Sequence, residues 1–296
     1  MTDTSETTPL RIDLVPVKKQ DVWKWPAALN LIFSGAGSGF YIVSYILHRA
    51  LPETFQYESS IRSEITSAIF IVIGFSFVSV EVGRLSSAIN VLKRVSSSWI
   101  SREVLCGTVF LAAILLNLFF PNKILPFVAF LAAAGILVSQ GFILNTACAV
   151  ETWNLRIVPL LVFFSGLHSG YAMSFIIHSN YLKGDVSYMA SGVLINVLNL
   201  VIWINYVKAV KAQFNQIARP FNSRKINLAG VGIGHVCAIL LIITVGFLWH
   251  QNSWVELGRV FLFFAGICMF LGNSIQKVAA VLKAGYRASI WISTDR

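Results

Sequence analysis

The run "WPAALNLIFSGAGSGFYIVSYIL", Trp25 to Leu47, offers two incompatible readings. Gly35, Gly37 and Gly39 have the look of a loop that cradles a dinucleotide, but such a loop must follow a strand and open a helix. Here the glycines sit inside an apolar run longer than the roughly 20 residues that cross a bilayer. The run is therefore a membrane span. Gly35 and Gly39 then have GxxxG spacing, which lets a neighbouring helix or a flat ligand approach the backbone. The sequence leaves both uses open.

Seven further runs pass the same test. The spans are expected at 25–48, 63–82, 101–120, 123–146, 157–178, 186–207, 228–249 and 257–282. Only 12% of residues are charged and mean hydropathy is +0.72, against about 25% charged in an ordinary soluble domain. A soluble chain cannot keep that much apolar surface from water. The fold expected is an all-α integral membrane protein with eight transmembrane helices, which divide into two four-helix bundles. No internal sequence repeat is apparent at this stage. Residues 1–24 form a polar amino-terminal segment, and 25–296 the transmembrane domain with short loops. The first apolar run is too long for the core of a signal peptide and lacks a small-x-small exit, so it is expected to be retained. The longest polar stretch, around 208–227, contains Pro220 and reads as a loop. Chemistry that needs a water-soluble fold must then come from a partner.

Net charge is +10, but its distribution points to lipid and not to nucleic acid. With the amino terminus in the cytoplasm, only Arg49, Arg62, Lys123, Lys183 and Arg259 of the 23 Lys and Arg fall in outer segments. The rest, Arg84, Lys93, Arg94, Arg102 and Lys277 among them, count as inner. This positive-inside bias predicts that both termini are cytoplasmic in an inner (cytoplasmic) membrane.

Polar residues within spans are costly and often functional. Asn30, five residues before Gly35, can hold a carbonyl or hydroxyl group or make an interhelical hydrogen bond. Glu81 closes the second span and Glu103 opens the third, both at the cytoplasmic boundary, where a carboxylate can exchange protons with a substrate. Glu103 has a plainer reading: Ser101 as N-cap, with Glu103 in the first turn favoured by the helix dipole. Trp23, Trp25, Trp99 and Trp153 suit an interfacial belt or the walls of a ring-binding pocket. His48, His178 and His250 lie near outer helix ends, while His168 and His235 stand alone in theirs, so no haem is expected. The four cysteines form no CxxC pair and read as packing residues, so no metal is expected. HExxH, G-x-S-x-G and P-loop lysine motifs are all missing.

The connection "EVGRLSSAINVLKRVSSSWISREVL", Glu81 to Leu105, resembles the second-to-third helix connection of membrane anchor subunits of the dimethyl sulfoxide reductase type, within the wider polysulfide reductase (NrfD-like) membrane subunits. That family often reads His-Leu-Gly-x-Pro, a basic amphipathic stretch, then Ser-x-Leu/Trp-Ser-Arg/Asn-Glu leading into a helix. Gly83, Ser98, Ser101 and Glu103 fall in step. "ETWNLRIVPLLVFFSGLHSG", Glu151 to Gly170, is similar to the family's start of the fifth helix through Thr152, Trp153, Pro159, Phe163, Phe164 and Gly170. The likeness covers the first 170 residues. Glu81 stands where the family commonly has histidine, and Leu85 where it has proline.

The resemblance implies a division of labour. Such anchors bind a catalytic subunit with a molybdenum or tungsten pterin through an iron–sulfur subunit with several clusters. They hold a quinone (menaquinone or ubiquinone) near the docking face and usually carry no redox cofactor of their own. On this reading Asn30, Trp99, Ser101 and Glu103 bind quinone, Glu103 and Glu81 handle protons, and Arg94, Arg102 and Trp153 dock the partner. Two other readings stay open: a secondary transporter or channel, which predicts midplane ionisable residues and broken helices in corresponding halves, and a purely structural anchor.

Overall fold

The computed structural model describes residues 17–20, 23–52, 57–82, 94–179, 185–213, 221, 223–250 and 254–287. Its helices are α1 (Trp25–Ala50), α2 (Tyr57–Val82), α3 (Trp99–Phe119), α4 (Ile124–Asn145), α5 (Val158–His178), α6 (Val186–Gln213), α7 (224–250) and α8 (Val255–Leu282). All eight are long and apolar enough to cross a membrane. The fold is an all-α membrane protein. Among the described residues the only β-structure is a ribbon in which β1 (Val17–Lys19) pairs antiparallel with β2 (Gly285–Arg287). Gln20 reinforces it, its side chain donating to the Val281 carbonyl at 2.9 Å. The ribbon marks one end of the bundle; the opposite end is called the far end below.

Local chemistry sets the helix starts. Pro26 and Pro159 occupy the first turns of α1 and α5, where no amide hydrogen is needed. Asn122 Oδ1 accepts from the amides of Ile124 and Leu125 to begin α4. For α3 the expected cap is corrected: Ser98, not Ser101, is the N-cap, its Oγ accepting from the Ser101 amide at 3.4 Å. The helix thus begins at Trp99, and Glu103 lies beyond the turn whose free amides a cap serves.

Large apolar side chains remain on the outside, such as Leu115, Phe119 and Phe247, as a hydrocarbon solvent requires and water forbids. The core instead surrounds α1, which has 89% of its apolar span buried against 28% for α2, α3, α6 and α7.

The helices form two four-helix bundles, α1–α4 and α5–α8, and the second repeats the first. The α1–α2, α2–α3, α3–α4 and α1–α4 contacts recur as α5–α6, α6–α7, α7–α8 and α5–α8, and α1–α8 recurs as α4–α5. The sequence carries the same repeat, contrary to the first reading. Phe33–Gly39 and Phe164–Gly170 share Phe-Ser-Gly-x-x-Ser-Gly at an offset of 131 residues. At that offset Phe130–Gly141 and Phe261–Gly272 share Phe-Leu-x-x-Ala-Gly-Ile-x-x-x-x-Gly, and Cys106 falls on Cys237. Four helices return the chain to its starting side, so the two units run parallel about an axis along the membrane normal.

The repeated motif is where the units meet. A Cβ on Gly39 would stand 1.9 Å from the Gly166 carbonyl oxygen, and one on Gly170 2.3 Å from the Gly39 carbonyl carbon. Only glycine lets α1 and α5 cross so closely. Between α7 and α8 the same device recurs, with Gly234 against Gly272. There α7 is wound as a π-helix over Asn227–Cys237, a departure that costs regular hydrogen bonding and is common at functional sites. At the repeat offset this stretch matches Ser96–Cys106, the start of α3 that carries Glu103.

Candidate functional site

Glu103 does not face the helix dipole. Its side chain turns into the first bundle, 4% exposed, and takes two amide donors on Oε1. Asn30 Nδ2 of α1 donates at 3.1 Å and Gln140 Nε2 of α4 at 2.9 Å. Gln140 Nε2 also donates to Ser34 Oγ at 2.5 Å, and Ser34 in turn bonds the Asn30 carbonyl at 2.7 Å and Asn30 Oδ1 at 2.9 Å. Three helices thus hold one carboxylate near the ribbon end. Both amide donors to Glu103 fall on Oε1, and among the described residues Gln140 Oε1 is buried without a hydrogen-bond partner. A buried network with an open acceptor atom is unfinished and suits a ligand that donates.

Ser101 is buried beside Glu103 on the same helix. Trp99 stacks on Phe142 with centroids 4.5 Å apart and rings 13° from parallel, and the Arg102 guanidinium lies 4.1 Å over the Trp99 ring. Arg102 also folds back on its own loop, Nε donating to the Val95 carbonyl at 2.9 Å and Nη2 to that of Ser96 at 2.7 Å. Its fork is therefore largely occupied by this chain. Arg94 is exposed. Trp153 needs a correction as a docking residue. It is 1% exposed, packs on Trp23 at 5.3 Å and donates from Nε1 to the Ala280 carbonyl at 2.8 Å, so it joins core elements and offers no surface. Glu81 is helical, in the last turn of α2, but its side chain and residues 83–93 lie outside the described residues.

Lys277 is a residue that the sequence reading misplaced. Counted there as an inner-segment charge, it lies within α8, 7% exposed, and Nζ donates to the Leu31 carbonyl at 2.8 Å. It meets the Glu103 network across Gly35: a Cβ there would stand 2.9 Å from Lys277 Nζ and 3.2 Å from Gln140 Oε1. Gly35 and Gly39 therefore differ in use. Gly39 brings helices together, whereas Gly35 clears space between an ammonium and an unpartnered amide oxygen.

A second polar cluster occupies the other bundle. His168 of α5 and His235 of α7, far apart in sequence, have ring centroids 4.9 Å apart. His235 Nδ1 meets Asn196 Oδ1 at 2.6 Å, and Asn273 Nδ2 donates to Ser169 Oγ at 2.6 Å. Among the described residues neither His168 ring nitrogen, both buried, has a hydrogen-bond partner. Between the clusters lies a cavity of ≈ 20 Å³ touched by Lys277, Gln276, Asn273 and Ser165, room for one water.

Comparison with known proteins adds no family: no family model, curated protein or solved structure matches the chain.

Proposed function

We propose that the chain is the membrane anchor and quinone-reactive subunit of a multisubunit oxidoreductase, exchanging electrons between the quinone pool and an iron–sulfur partner. A molybdenum or tungsten pterin subunit is the catalytic partner, and both termini face the cytoplasm of an inner membrane. The observation that carries this reading is the buried Glu103 carboxylate with its amide shell from α1 and α4. Quinone chemistry supplies two electrons and two protons per quinol. Asn30 and Gln140 have the amide groups to orient a ring oxygen, and the Glu103 carboxyl, bonded through Oε1, can take a proton from a ring hydroxyl. Trp99 and Phe142 present flat apolar surface at the same end. The partner docks at the ribbon end, beside exposed Arg94, and receives the electrons there. The resemblance over the first 170 residues supports the same assignment.

Three observations favour a second reading, a secondary transporter. Parallel repeats, a π-wound helix and paired histidines deep within the second bundle are features of such proteins. Purification from native membranes separates the two. Iron–sulfur and molybdopterin polypeptides should accompany an anchor; a chain that purifies alone and moves a solute in vesicles is a transporter.

A further inference from the structure

A polar stripe runs the length of α1 and meets α3 at Asn30 and α4 at Ser34 and Tyr41. Asn30, Ser34, Ser38, Tyr41, Ser44 and His48 recur every three or four residues, the spacing of one helical face. At the ribbon end the stripe begins in the Glu103 network. At the far end it reaches a pocket of ≈ 200 Å³ touched by Tyr41, Ser44, His48 and Glu64. Glu64, on α2, is 5% exposed and accepts from Asn117 Nδ2 at 3.2 Å and 3.3 Å. Buried carboxyl groups thus stand near both ends of the first bundle.

The hydroxyls between them are unusual for this chain. Ser76, Ser79, Thr108, Thr244 and Ser274 each donate to the carbonyl four residues back, the ordinary resort of a hydroxyl in a helix. Ser38 and Ser44 of α1 and Ser67 of α2 are buried and, among the described residues, have no hydrogen-bond partner. An unpartnered buried hydroxyl costs about 1–3 kcal/mol, and water bonded to several of them removes that cost. The steps are short: Ser34 to Ser38 rises about 6 Å along the helix and Ser38 to Tyr41 about 4.5 Å, each within reach of one or two waters.

We propose that this stripe is a proton path, a file of waters and serine hydroxyls that joins Glu103 to the Glu64 pocket at the far end. A proton leaving the Glu103 carboxyl enters the file, one proton leaves the other end, and one positive charge crosses most of the bundle. No oxidant or reductant takes part. The groups facing Glu103 are Asn30, Gln140, Cys106 one turn along α3, and Lys277 across Gly35. Those facing Glu64 are Asn117, Tyr41, His48, Arg49 and Lys123. Protons released at Glu103 then emerge at the face opposite the ribbon. The use of the path by quinol rests on the proposed function; the path itself does not.

Dicyclohexylcarbodiimide tests it, because it modifies a carboxyl only in its protonated form. The purified protein, with whatever subunits accompany it, is sealed in vesicles with pH set separately on the two sides, and adducts at Glu103 are counted by mass spectrometry. The Glu103 adduct should follow the far-side pH, falling by up to about tenfold per unit, and ignore the ribbon-side pH. Ser38→Val should abolish that far-side dependence while the Glu64 adduct keeps it, which shows the variant folded. A wild-type Glu103 adduct that follows the ribbon-side pH alone overturns the path. The labelling needs no quinone, so a chain inert to quinone leaves the test intact. A chain that turns quinone over but labels from the ribbon side loses only the path.

Discussion

Alanine at Gly39 and alanine at Gly35 should have opposite consequences, although the two share one motif. At Gly39 the new methyl would stand 1.9 Å from the Gly166 carbonyl oxygen, so α1 and α5 must part by about 1.5 Å to restore van der Waals distance. The obstacle is backbone and cannot rotate away. Overpacking costs about 1–3 kcal/mol, and parting two helices at a crossing also forfeits neighbouring contacts, so about 3 kcal/mol is expected for Gly39→Ala. At 2–4 °C per kcal/mol that lowers the melting temperature in detergent by about 6–12 °C. At Gly35 the methyl would meet Lys277 Nζ at 2.9 Å and Gln140 Oε1 at 3.2 Å, the ends of side chains that can swing aside. Gly35→Ala should melt within about 2 °C of wild type yet disturb the Glu103 network and slow quinone-linked turnover. Differential scanning of both variants, with turnover measured on the same preparations, decides the matter. A Gly39→Ala protein as stable as wild type would refute the claim that the two repeats meet through these glycines.

Other outcomes follow from single residues. Lys277→Met removes a buried ammonium that has no carboxylate partner among the described residues and keeps the volume, so the melting temperature should stay level or rise; a fall of several degrees would mean that the Leu31 bond matters more than desolvation. Glu81→Gln should slow quinone turnover and shift its pH profile, while Glu81→His keeps appreciable activity; wild-type behaviour of the Gln variant across the pH range removes Glu81 from proton handling. Cysteines introduced at Ser97 and Asn252, treated with a membrane-impermeant thiol reagent in intact cells, should label at 252 and not at 97; the reverse pattern inverts the topology and moves the partner outside.

The spans were legible because hydropathy alone reports them, and their ends shifted most where polar residues extend a helix past its apolar run. Tyr57–Arg62 lengthen α2 in this way, and Lys208 and Lys211 lengthen α6. The two bundles were expected, but the duplication behind them was overlooked. Its signature, Phe-Ser-Gly-x-x-Ser-Gly, lies in small residues that hydropathy does not weigh, and a search for identical spacing would have found it. Glu103 and Asn30 were singled out from sequence, but nothing local says that they touch. Their contact depends on the register of α1 against α3, set by packing at Gly74 and Gly107. Gln140, not singled out from sequence, is the link between them. Lys277 was legible in part, since Gln276-Lys277 is flanked by apolar residues on both sides; charge counting took it for an inner-segment charge because it lies near a span end.

The most direct test of the central claim is Glu103→Gln in the purified complex, with quinone-linked turnover and dye-linked partner activity measured side by side. The amide keeps the shape and the contacts to Asn30 and Gln140 but cannot take a proton. The account predicts intact assembly, unchanged dye-linked activity and a loss of about a hundredfold or more in quinone-linked turnover. Quinone-linked turnover within twofold of wild type would contradict it.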